Sequence, residues 1–513
     1  MISKFFKTPH QIYKSSYHFT STKQRISKEE KVDGSISDIV YTFMDQASKY
    51  TAISPAMMNF YKQCDNLFEV SIPFQRQDGK LEVIKGFRCQ HKTHQLPTKG
   101  GLIISQNVIK QDIEAFACLN TIRSNTLHIP HGGAKGAIVL NPLDYTEREL
   151  EMIIRKFTVE CAKKGIIGSS IDIPGTDLGS TDREMNWIKD TYTYFYGKED
   201  INSAACVTGK SLNQGGLSGS QESSGFCVYF TLKHMLSQDD FCQKAGIQKG
   251  LKGKTFIVEG YGSVGYWASH FLQEAGAKLV GVVERDGEIY NSDGIDANDI
   301  QNYKVQNKGI SGYPKATFQK DVAFQKCDIF IPAFFAKSIH SENADKFNCK
   351  VIAEGANLSV TPNAEQILEK KGVQIIPDVI ASSGGFLSGY FEWIKNISHK
   401  HHGSMTRKWE QKSNIQLLET IEVETGLKLK NILVNILWIY KEQLKYKKKN
   451  QYINILFQHD LVESGLEESY ERSLNESINT SKKLNVNLRI ATYVNALTKL
   501  NIHYSQVGMT FSK

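Results

Sequence analysis

Apolar and polar positions alternate with two different periods along the first part of the chain. In residues 68–73 the apolar side chains recur at every second position, as in a strand with one buried face, and a turn leads to a second such run at 81–88. Helical spacing follows at 111–123 and 147–164, with a strand-like apolar run at 136–140 between them. The pattern predicts a hairpin, two helices and a further strand of a first α/β domain.

A strand, a glycine turn, a helix and a second strand follow one another from residue 255 onward. The apolar run 255–258 leads towards Gly260-Tyr261-Gly262-Ser263-Val264-Gly265, the next segment has helical spacing, and the apolar run 278–283 ends at Glu284. This order predicts a βαβ unit. Further buried strands of the same domain are predicted by the short apolar runs 329–332, 351–353 and 374–376.

The glycine turn has a specific use between a strand and a helix. Its backbone N–H groups can approach a pyrophosphate, and the helix N-terminus adds a partial positive charge. A carboxylate about 20 residues further on, here Glu284, can accept hydrogen bonds from an adenosine ribose. Three glycines alone often mark only a tight turn, but the complete order of elements favours a dinucleotide-binding fold. Glu284 repels a 2′-phosphate and favours NAD, while Arg285 beside it leaves NADP possible.

The chain divides into three parts. Glycine and serine are frequent at 209–225, which is typical of a hinge, and the spacing beyond residue 386 is helical. The predicted fold class is α/β, and two domains that meet at such a crossing imply a cleft for substrate. The predicted parts are an N-terminal α/β domain at 35–210, a Rossmann-like dinucleotide-binding domain at 211–385, and C-terminal helices at 386–513 with an excursion at about 405–456.

The first 28 residues contain six Lys or Arg and no acidic residue, with aromatic, Ser and Thr residues between them. This composition is typical of a mitochondrial presequence, so we predict a leader at 1–34 and a location in the mitochondrial matrix. The alternative is a disordered, solvated tail. Because the leader carries part of the net charge of +8, the folded part is less basic, and we expect no nucleic-acid partner. No stretch approaches a membrane span, so we expect no membrane association.

The nine cysteines include no Cys-x-x-Cys pair and no metal-like cluster. Several lie in apolar segments, which predicts reduced, buried thiols and no metal site.

Three Gly-rich motifs, interpreted as loops, precede the dinucleotide unit. They are Lys99-Gly100-Gly101, the run 131–136 that contains Lys135, and the run 173–177 that ends at Asp177. A lysine close to backbone loses water, which lowers its pKa so that it can act as a base or electrophile near neutrality. A nearby aspartate can then carry protons. Any one of these motifs alone would be better explained as a solvated turn.

These motifs, together with 205–210, 353–357 and 390–393, resemble the glutamate dehydrogenases of the Glu/Leu/Phe/Val dehydrogenase family. The resemblance extends over about residues 68–511. It implies reversible NAD(P)-dependent oxidative deamination of L-glutamate to 2-oxoglutarate and ammonium, in a homohexamer or a mixed hexamer, with 35–210 as the substrate and oligomerisation domain. The excursion at 405–456 resembles the helical antenna of hexameric animal and ciliate forms, which suggests nucleotide effectors.

The resemblance also implies roles for individual residues. Lys135 polarises the bound water and the carbonyl, Asp177 exchanges protons with the substrate nitrogen, and Lys99 grips the substrate. The other implied substrate-site positions are Arg123, Ser220 and Gly389. The implied cofactor-site positions are Ser224, Gly260, Gly262, Ser263, Val264, Gly265, Glu284, Asn357 and Ser382.

The chain departs from the family pattern in the substrate pocket. Ile103 and Ser220 stand where the family has arginines, Arg123 replaces a lysine that binds a substrate carboxylate, Gly389 replaces a serine, and Phe386 replaces a small aliphatic residue. Losing one charged donor to a buried carboxylate costs about 1.5–3 kcal/mol. Arginine at position 123 is bulkier and planar but can still hold a carboxylate through two hydrogen bonds.

Near the expected nicotinamide position, Phe334 and Phe335 stand where the family has small residues, and Ser382 stands where it has asparagine. The two rings either pack away from the cleft as core or fill cofactor space. Because the glycine turn and Glu284 are intact, we favour packing as core.

Three functions therefore stay open. The first is an active, NAD-preferring glutamate dehydrogenase with altered affinity. The second is a non-catalytic paralogue that regulates or scaffolds a dehydrogenase in a mixed hexamer. The third, based on Ser220, Gly389 and Phe386, is a dehydrogenase for a less acidic amino acid.

Overall fold

Two sheets covered by helices form the computed structural model, which describes residues 32–399 and 449–507. The predicted leader lies outside the described residues as far as residue 31. The predicted antenna-like insertion also lies outside them, except for 449–456, where a helix begins.

The first sheet belongs to the N-terminal domain. Its strands are β1 Asn66–Gln75, β2 Leu81–Gln90, β3 Thr98–Ile104, β4 Gly132–Val139 and β5 Asp172–Gly175, in the order β1-β2-β4-β3-β5. The hairpin of β1 and β2 is antiparallel as predicted, and β3 runs parallel to both β4 and β5. The helices of this domain are α1 Ile36–Ser48, α2 Pro55–Lys62, α3 Lys110–Thr126, α4 Glu147–Lys163 and α5 Asp182–Tyr196.

The sequence suggested that the three Gly-rich motifs are loops. In the structure they lie largely within strands β3, β4 and β5. Their glycines permit close packing instead of a turn. A Cβ on Gly133 would lie 2.2 Å from the backbone nitrogen of Thr121 on α3, and a Cβ on Gly100 would lie 1.6 Å from the carbonyl oxygen of Ala134. Any side chain at these two positions would push the strands away from each other or from α3.

The second sheet has the Rossmann-like order that the βαβ pattern predicts. Its strands are β6 Thr255–Glu259, β7 Lys278–Glu284, β8 Gly287–Tyr290, β9 Thr317–Phe318, β10 Ile329–Pro332, β11 Val351–Ala353 and β12 Gln374–Ile376, in the order β12-β11-β10-β6-β7-β8-β9. Strands β6, β7, β10, β11 and β12 are parallel. The chain reverses its direction of travel across the sheet between β7 and β10, on either side of β6. In such sheets, ligands bind at this point, beyond the carboxyl ends of the strands.

The remaining helices cover the second sheet and connect it to the first domain. They are α6 Ser223–Met235, α7 Asp239–Ala245, α8 Ser263–Glu274, α9 Ala297–Asn307, α10 Pro362–Lys370, α11 Asp378–Ala381, α12 Gly384–Ile397, α13 Lys449–Leu484 and α14 Leu488–Val507. Helix α14 shares a hydrophobic core with α1 and α3, and α13 packs on α6.

All nine cysteines lie in the described residues as free thiols, and eight are buried, as predicted. Within 32–399 and 449–507, no helix has the length and apolarity needed to cross a membrane. In the same residues, no group of three or more His, Cys, Asp or Glu side chains is arranged to hold a metal ion.

A buried arginine on α14 binds three carboxylates of the second domain. Arg489 contacts Glu354 at 2.5 Å, Glu365 at 2.8 Å and Asp378 at 3.0 Å, and its guanidinium lies 4.6 Å from the ring of Phe43 on α1. Burial raises the pKa values of Glu354 and Glu365, although Arg489 opposes the shift. The cluster therefore joins the C-terminal helix, the first domain and the second sheet.

Replacing this arginine tests how much the cluster stabilises the fold. In Arg489→Ala, three buried acidic groups lose their cation, and we expect the free energy of unfolding to fall by about 3–5 kcal/mol in urea denaturation. Arg472 on α13 is the matched control, because its side chain is 59% exposed and 3.8 Å from Glu468. Arg472→Ala should change the free energy by less than about 1 kcal/mol. Equal effects of the two variants would contradict a stabilising role for the cluster.

Candidate active site

Lys135 and Asp177 form an ion pair in the cleft between the two sheets. Lys135 lies on β4 and Asp177 follows β5, and the distance from Lys135 Nζ to Asp177 Oδ2 is 2.6 Å. Strand β3 lies between them. A Cβ on its Gly101 would lie 1.9 Å from Asp177 Oδ2, so the carboxylate reaches the lysine only because this position has no side chain. The lysine side chain is 4% exposed and the aspartate 23%, which leaves the carboxylate open to proton exchange.

The second pocket lysine, Lys99, is buried on β3. Its Nζ donates to Thr208 Oγ1 at 3.0 Å and lies 5.2 Å from the centre of the Phe386 ring. Burial lowers the pKa of Lys99 to about 8, although Glu392 opposes the shift. Among the described residues, no carboxylate forms an ion pair with Lys99. The ammonium group is thus buried without a counter-ion of its own.

Gly389 explains the position of this lysine. A Cβ at position 389 would lie 2.5 Å from Lys99 Nζ and 3.0 Å from Thr208 Oγ1. The amine therefore occupies space that a serine at this position, as in the family pattern, would contest. The placement of Lys99 against α12 thus depends on the absence of a side chain at position 389.

Arg123 connects the two domains across the cleft. Its Nη2 donates to Asn357 Oδ1 at 2.8 Å and to Ser382 Oγ at 3.0 Å, while Nη1 donates to Asn120 Oδ1 at 3.1 Å. The side chain is buried, Nε has no hydrogen-bond partner, and burial lowers the pKa of the guanidinium. The structure thus brings a predicted substrate residue into direct contact with two predicted cofactor residues.

Two of the four predicted site serines, Ser220 and Ser224, lie near the start of α6, beside α12. Ser220 Oγ lies 3.3 Å from Ser388 Oγ, to which Ser223 Oγ also donates at 3.1 Å. A Cβ on Gly385 would lie 3.1 Å from Ser224 Oγ. Ser220 is therefore engaged with α12.

The three glycines of the turn differ in the space around them. Gly260 has φ +87°, which favours glycine, and a Cβ on Gly265 would lie 2.0 Å from the Gly260 carbonyl oxygen. A Cβ on Gly262 would meet nothing within 4 Å. Gly260 and Gly265 are therefore needed by the fold itself, whereas the space at Gly262 is open to a ligand.

The two residues after Gly262 complete the turn. Ser263 Oγ donates to the carbonyl oxygen of Gln221 at 3.2 Å, and Val264 Cγ1 would lie 3.2 Å from a Cβ on Gly355. The Ser263 hydrogen bond joins the start of α8 to the segment before α6, and the absence of a side chain at Gly355, just after β11, leaves room for Val264.

Glu284 ends β7 beside the turn. Its Oε1 accepts hydrogen bonds from the Tyr261 N–H at 2.9 Å and from the Lys304 ammonium. Burial acts to raise the pKa of Glu284, but Lys304 and the backbone donors outweigh it and lower the pKa. The residues present fit a dinucleotide, because Gly262 and the N-terminus of α8 would hold its pyrophosphate and Glu284 its ribose.

Phe334 and Phe335 do not pack as core, contrary to expectation. Phe335 is 36% exposed, and Phe334 is half-buried with its ring centre 5.0 Å from the guanidinium of Arg285. A Cβ on Gly260 would lie 2.9 Å from Phe334 Cβ. The expectation was wrong because these residues come shortly after β10 and therefore lie at the sheet edge that carries the glycine turn.

Sequence reasoning missed two residues near the site. Lys304 lies on α9, and nothing in its local sequence indicates that it pairs with Glu284. His131 is 1% exposed, lies 5.2 Å from Tyr390 and 4.8 Å from Trp393 between ring centres, and neither of its ring nitrogens has a partner. The sequence signal that could have identified His131 is its position directly before Gly132 and Gly133 in the run 131–136.

Family comparisons agree with this arrangement. A family model described as "Glu/Leu/Phe/Val dehydrogenase, dimerisation domain" matches residues 65–194, and one described as "Glutamate/Leucine/Phenylalanine/Valine dehydrogenase" matches residues 215–435. The chain belongs to the Glu/Leu/Phe/Val dehydrogenase family. Members of this family use NAD or NADP.

Individual proteins show the same relationship. The mitochondrial glutamate dehydrogenase of Dictyostelium discoideum is 36% identical over 474 residues, which cover 92% of this chain and 91% of the relative. The NADP-specific glutamate dehydrogenase A1 of Halobacterium salinarum is 31% identical, with 69% of this chain and 82% of the relative covered. The predicted resemblance is confirmed.

Solved structures support the fold. Glutamate dehydrogenase from Peptoniphilus asaccharolyticus has a TM-score of 0.67 at 25% identity, and covers 92% of this chain and 99% of its own. The hetero-hexameric glutamate dehydrogenase from Thermus thermophilus in its Leu-bound form has a TM-score of 0.75 at 22% identity, with 92% and 97% covered.

The open space at Gly262 gives a test of the cofactor site. In Gly262→Ala the methyl group meets no protein atom, and φ is −81°, so we expect the free energy of unfolding to change by less than about 1 kcal/mol. The same methyl should lower the affinity for NADH at least about tenfold in calorimetric titration, because it hinders the approach of a pyrophosphate. Gly265→Ala is the contrasting variant and should lose stability. Wild-type affinity in Gly262→Ala would contradict this assignment.

Proposed function

We propose that the chain is an NAD(P)-dependent dehydrogenase that reversibly converts L-glutamate to 2-oxoglutarate and ammonium. One observation carries the choice of substrate. Lys99, Arg123 and Lys135 are all buried in the cleft, yet among the described residues only Lys135 has a carboxylate partner within ion-pair distance. Buried charges need compensation, and a substrate with two carboxylates would provide it for the other two cations.

The ion pair of Lys135 and Asp177 would carry the proton transfers. A bound NAD(P) supplies the hydride acceptor for the α-carbon. Asp177, whose carboxylate is partly exposed, takes a proton from the substrate amino group. Lys135 donates a hydrogen bond to the group on the α-carbon and orients the water that adds to the resulting imine carbon. Water then replaces the nitrogen, which leaves as ammonium, and the product is the 2-oxo acid.

We infer that NAD is preferred and that NADP is tolerated. Glu284 disfavours a 2′-phosphate, but Lys304 neutralises part of its charge, and Arg285 adds a second cation beside it. Relative rates with the two cofactors test this, and a strict preference for NADP would contradict it.

We also infer a hexamer in the mitochondrial matrix. The leader composition and the name of the Dictyostelium relative support the proposed location. For assembly, β1 is an edge strand of the first sheet, and near it Tyr194 is 83% and Phe195 55% exposed. Light scattering and import assays test these inferences, and a monomer or a cytosolic protein would contradict them. The antenna-like insertion and its nucleotide effectors stay predictions.

A substrate panel tests the activity. We expect the purified protein to reduce NAD with glutamate faster than with norvaline, leucine or alanine. Lys135→Ala and Asp177→Asn should lower kcat by about 10²–10⁴-fold, since each removes a proton-transfer group. Asp190→Asn, at a side chain that is 67% exposed in the first domain, is the matched control and should keep wild-type kcat.

The other outcomes identify the alternatives. Faster turnover of norvaline or leucine than of glutamate would favour a dehydrogenase for less acidic amino acids. Tight NAD binding without turnover of any amino acid would favour the non-catalytic paralogue.

The protonation of Lys99 should determine how substrate affinity depends on pH. Burial lowers its pKa to about 8, so the ammonium group is present below that pH and is lost above it. We therefore expect KM for glutamate to rise as the pH increases beyond about 8. Lys99→Gln should raise KM about 10- to 100-fold at pH 7 and remove this rise. We assign the side-chain carboxylate of glutamate to Lys99, so KM for norvaline, which lacks that group, should respond much less. A rise that persists in Lys99→Gln would exclude Lys99 as its cause.

A further inference from the structure

Two side chains meet above the glycine turn. Arg285 follows β7 and Phe334 comes shortly after β10, and these two strands are the neighbours of β6 on either side. The guanidinium of Arg285 lies 5.0 Å from the ring centre of Phe334. The ring of Phe335 lies against Phe334 with 4.6 Å between centres. The pair therefore bridges the end of β6, where the turn begins.

The position of Glu284 relates this pair to a nucleotide. A carboxylate at the end of the second strand accepts hydrogen bonds from the adenosine ribose in dinucleotide folds. Arg285 is the next residue, and its backbone N–H donates to Glu284 Oε2 at 3.2 Å. The base attached to that ribose therefore falls within reach of Arg285 and Phe334. Phe334 thus belongs to the adenosine end of the cofactor site and not to the nicotinamide position at which the sequence placed it.

We propose that Arg285 and Phe334 form an adenine clamp, in which the base inserts between the guanidinium and the phenyl ring. Both groups are planar and stack on aromatic faces, so each offers one wall. A base that stacks on both groups at about 3.5 Å requires the guanidinium and the phenyl ring to lie about 7 Å apart. They are now 5.0 Å apart, so the two side chains have to separate by about 2 Å. Phe335 also contacts the ring of Phe334, in a tilted arrangement.

The clamp deepens the proposed use of NAD(P) and rests on it. It gives the adenosine half of the cofactor an aromatic contact at a position where the family pattern has small residues. In the opposite interpretation the same pair is a barrier, because its direct stacking closes the crevice against the base.

Calorimetric titration of the full chain separates these two interpretations. The ligands are NAD⁺, ADP-ribose, which keeps the adenosine half, and nicotinamide mononucleotide, which lacks it. In Phe334→Ala, the affinities for NAD⁺ and ADP-ribose should fall about tenfold or more, while that for nicotinamide mononucleotide stays unchanged. Phe334→Leu keeps the bulk without an aromatic face and should show most of the same loss. Arg285→Lys keeps the charge and should show a smaller loss.

Tyr50→Ala, at a 47% exposed tyrosine just after α1 in the first domain, is the matched control and should bind all three ligands as the wild type does. Unchanged or tighter ADP-ribose binding in Phe334→Ala overturns the clamp, and so does a wild-type protein that fails to bind ADP-ribose. If ADP-ribose binding depends on Phe334 but no amino acid is turned over, the clamp stands and the proposed activity fails. If glutamate is turned over and Phe334→Ala binds ADP-ribose normally, only the clamp fails.

Discussion

The compensation of buried charge by Arg489 is the constraint on which the rest of the site depends. Glu354 also accepts the Val360 N–H at 2.7 Å, and Asp378 accepts the Leu358 N–H at 3.0 Å. The same carboxylates that bind the arginine thus fix both ends of the short loop that carries Asn357. Because Asp378 begins α11, the cluster also places Ser382 at the end of that helix. A helix from the C-terminal part of the chain therefore sets the geometry of the cleft.

In the first domain, glycines rather than an ion-pair cluster fix the positions of the strands and of the charged side chains. Gly100 and Gly133 bring β3, β4 and α3 into close contact, and Gly101 leaves the gap through which Asp177 reaches Lys135. Gly389, on the opposite wall, leaves room for Lys99. Gly101 and Gly389 leave room for charged side chains, and Gly100 and Gly133 allow close packing, so the shape of the cleft depends on glycines as well as on its charged residues.

Local patterns predicted the elements well, but they could not distinguish two uses of glycine. The strands at 68–73, 255–258 and 278–283 have clear apolar periods or runs, and each is present. Glycines next to Lys99 and Lys135 suggested turns, whereas they serve close packing, and a single sequence has the same letters in both cases. The ion pairs of Arg489 and Lys304 could not be predicted from the sequence for a different reason. Their partners are distant along the chain, and charged residues on helices usually face solvent.

The arginine at position 123 joins the two domains by hydrogen bonds across the cleft. A guanidinium has a planar set of five donors and can bind several acceptors at once, whereas an ammonium acts as a point charge. Here Arg123 reaches from α3 to both Asn357 and Ser382, so the substrate side and the cofactor side of the cleft share one cation. A carboxylate that binds Arg123 would either replace its hydrogen bonds to Asn357 and Ser382 or add to them. A single side chain therefore links the two domains through several hydrogen bonds, and a lysine, which has fewer donors, would link them less tightly.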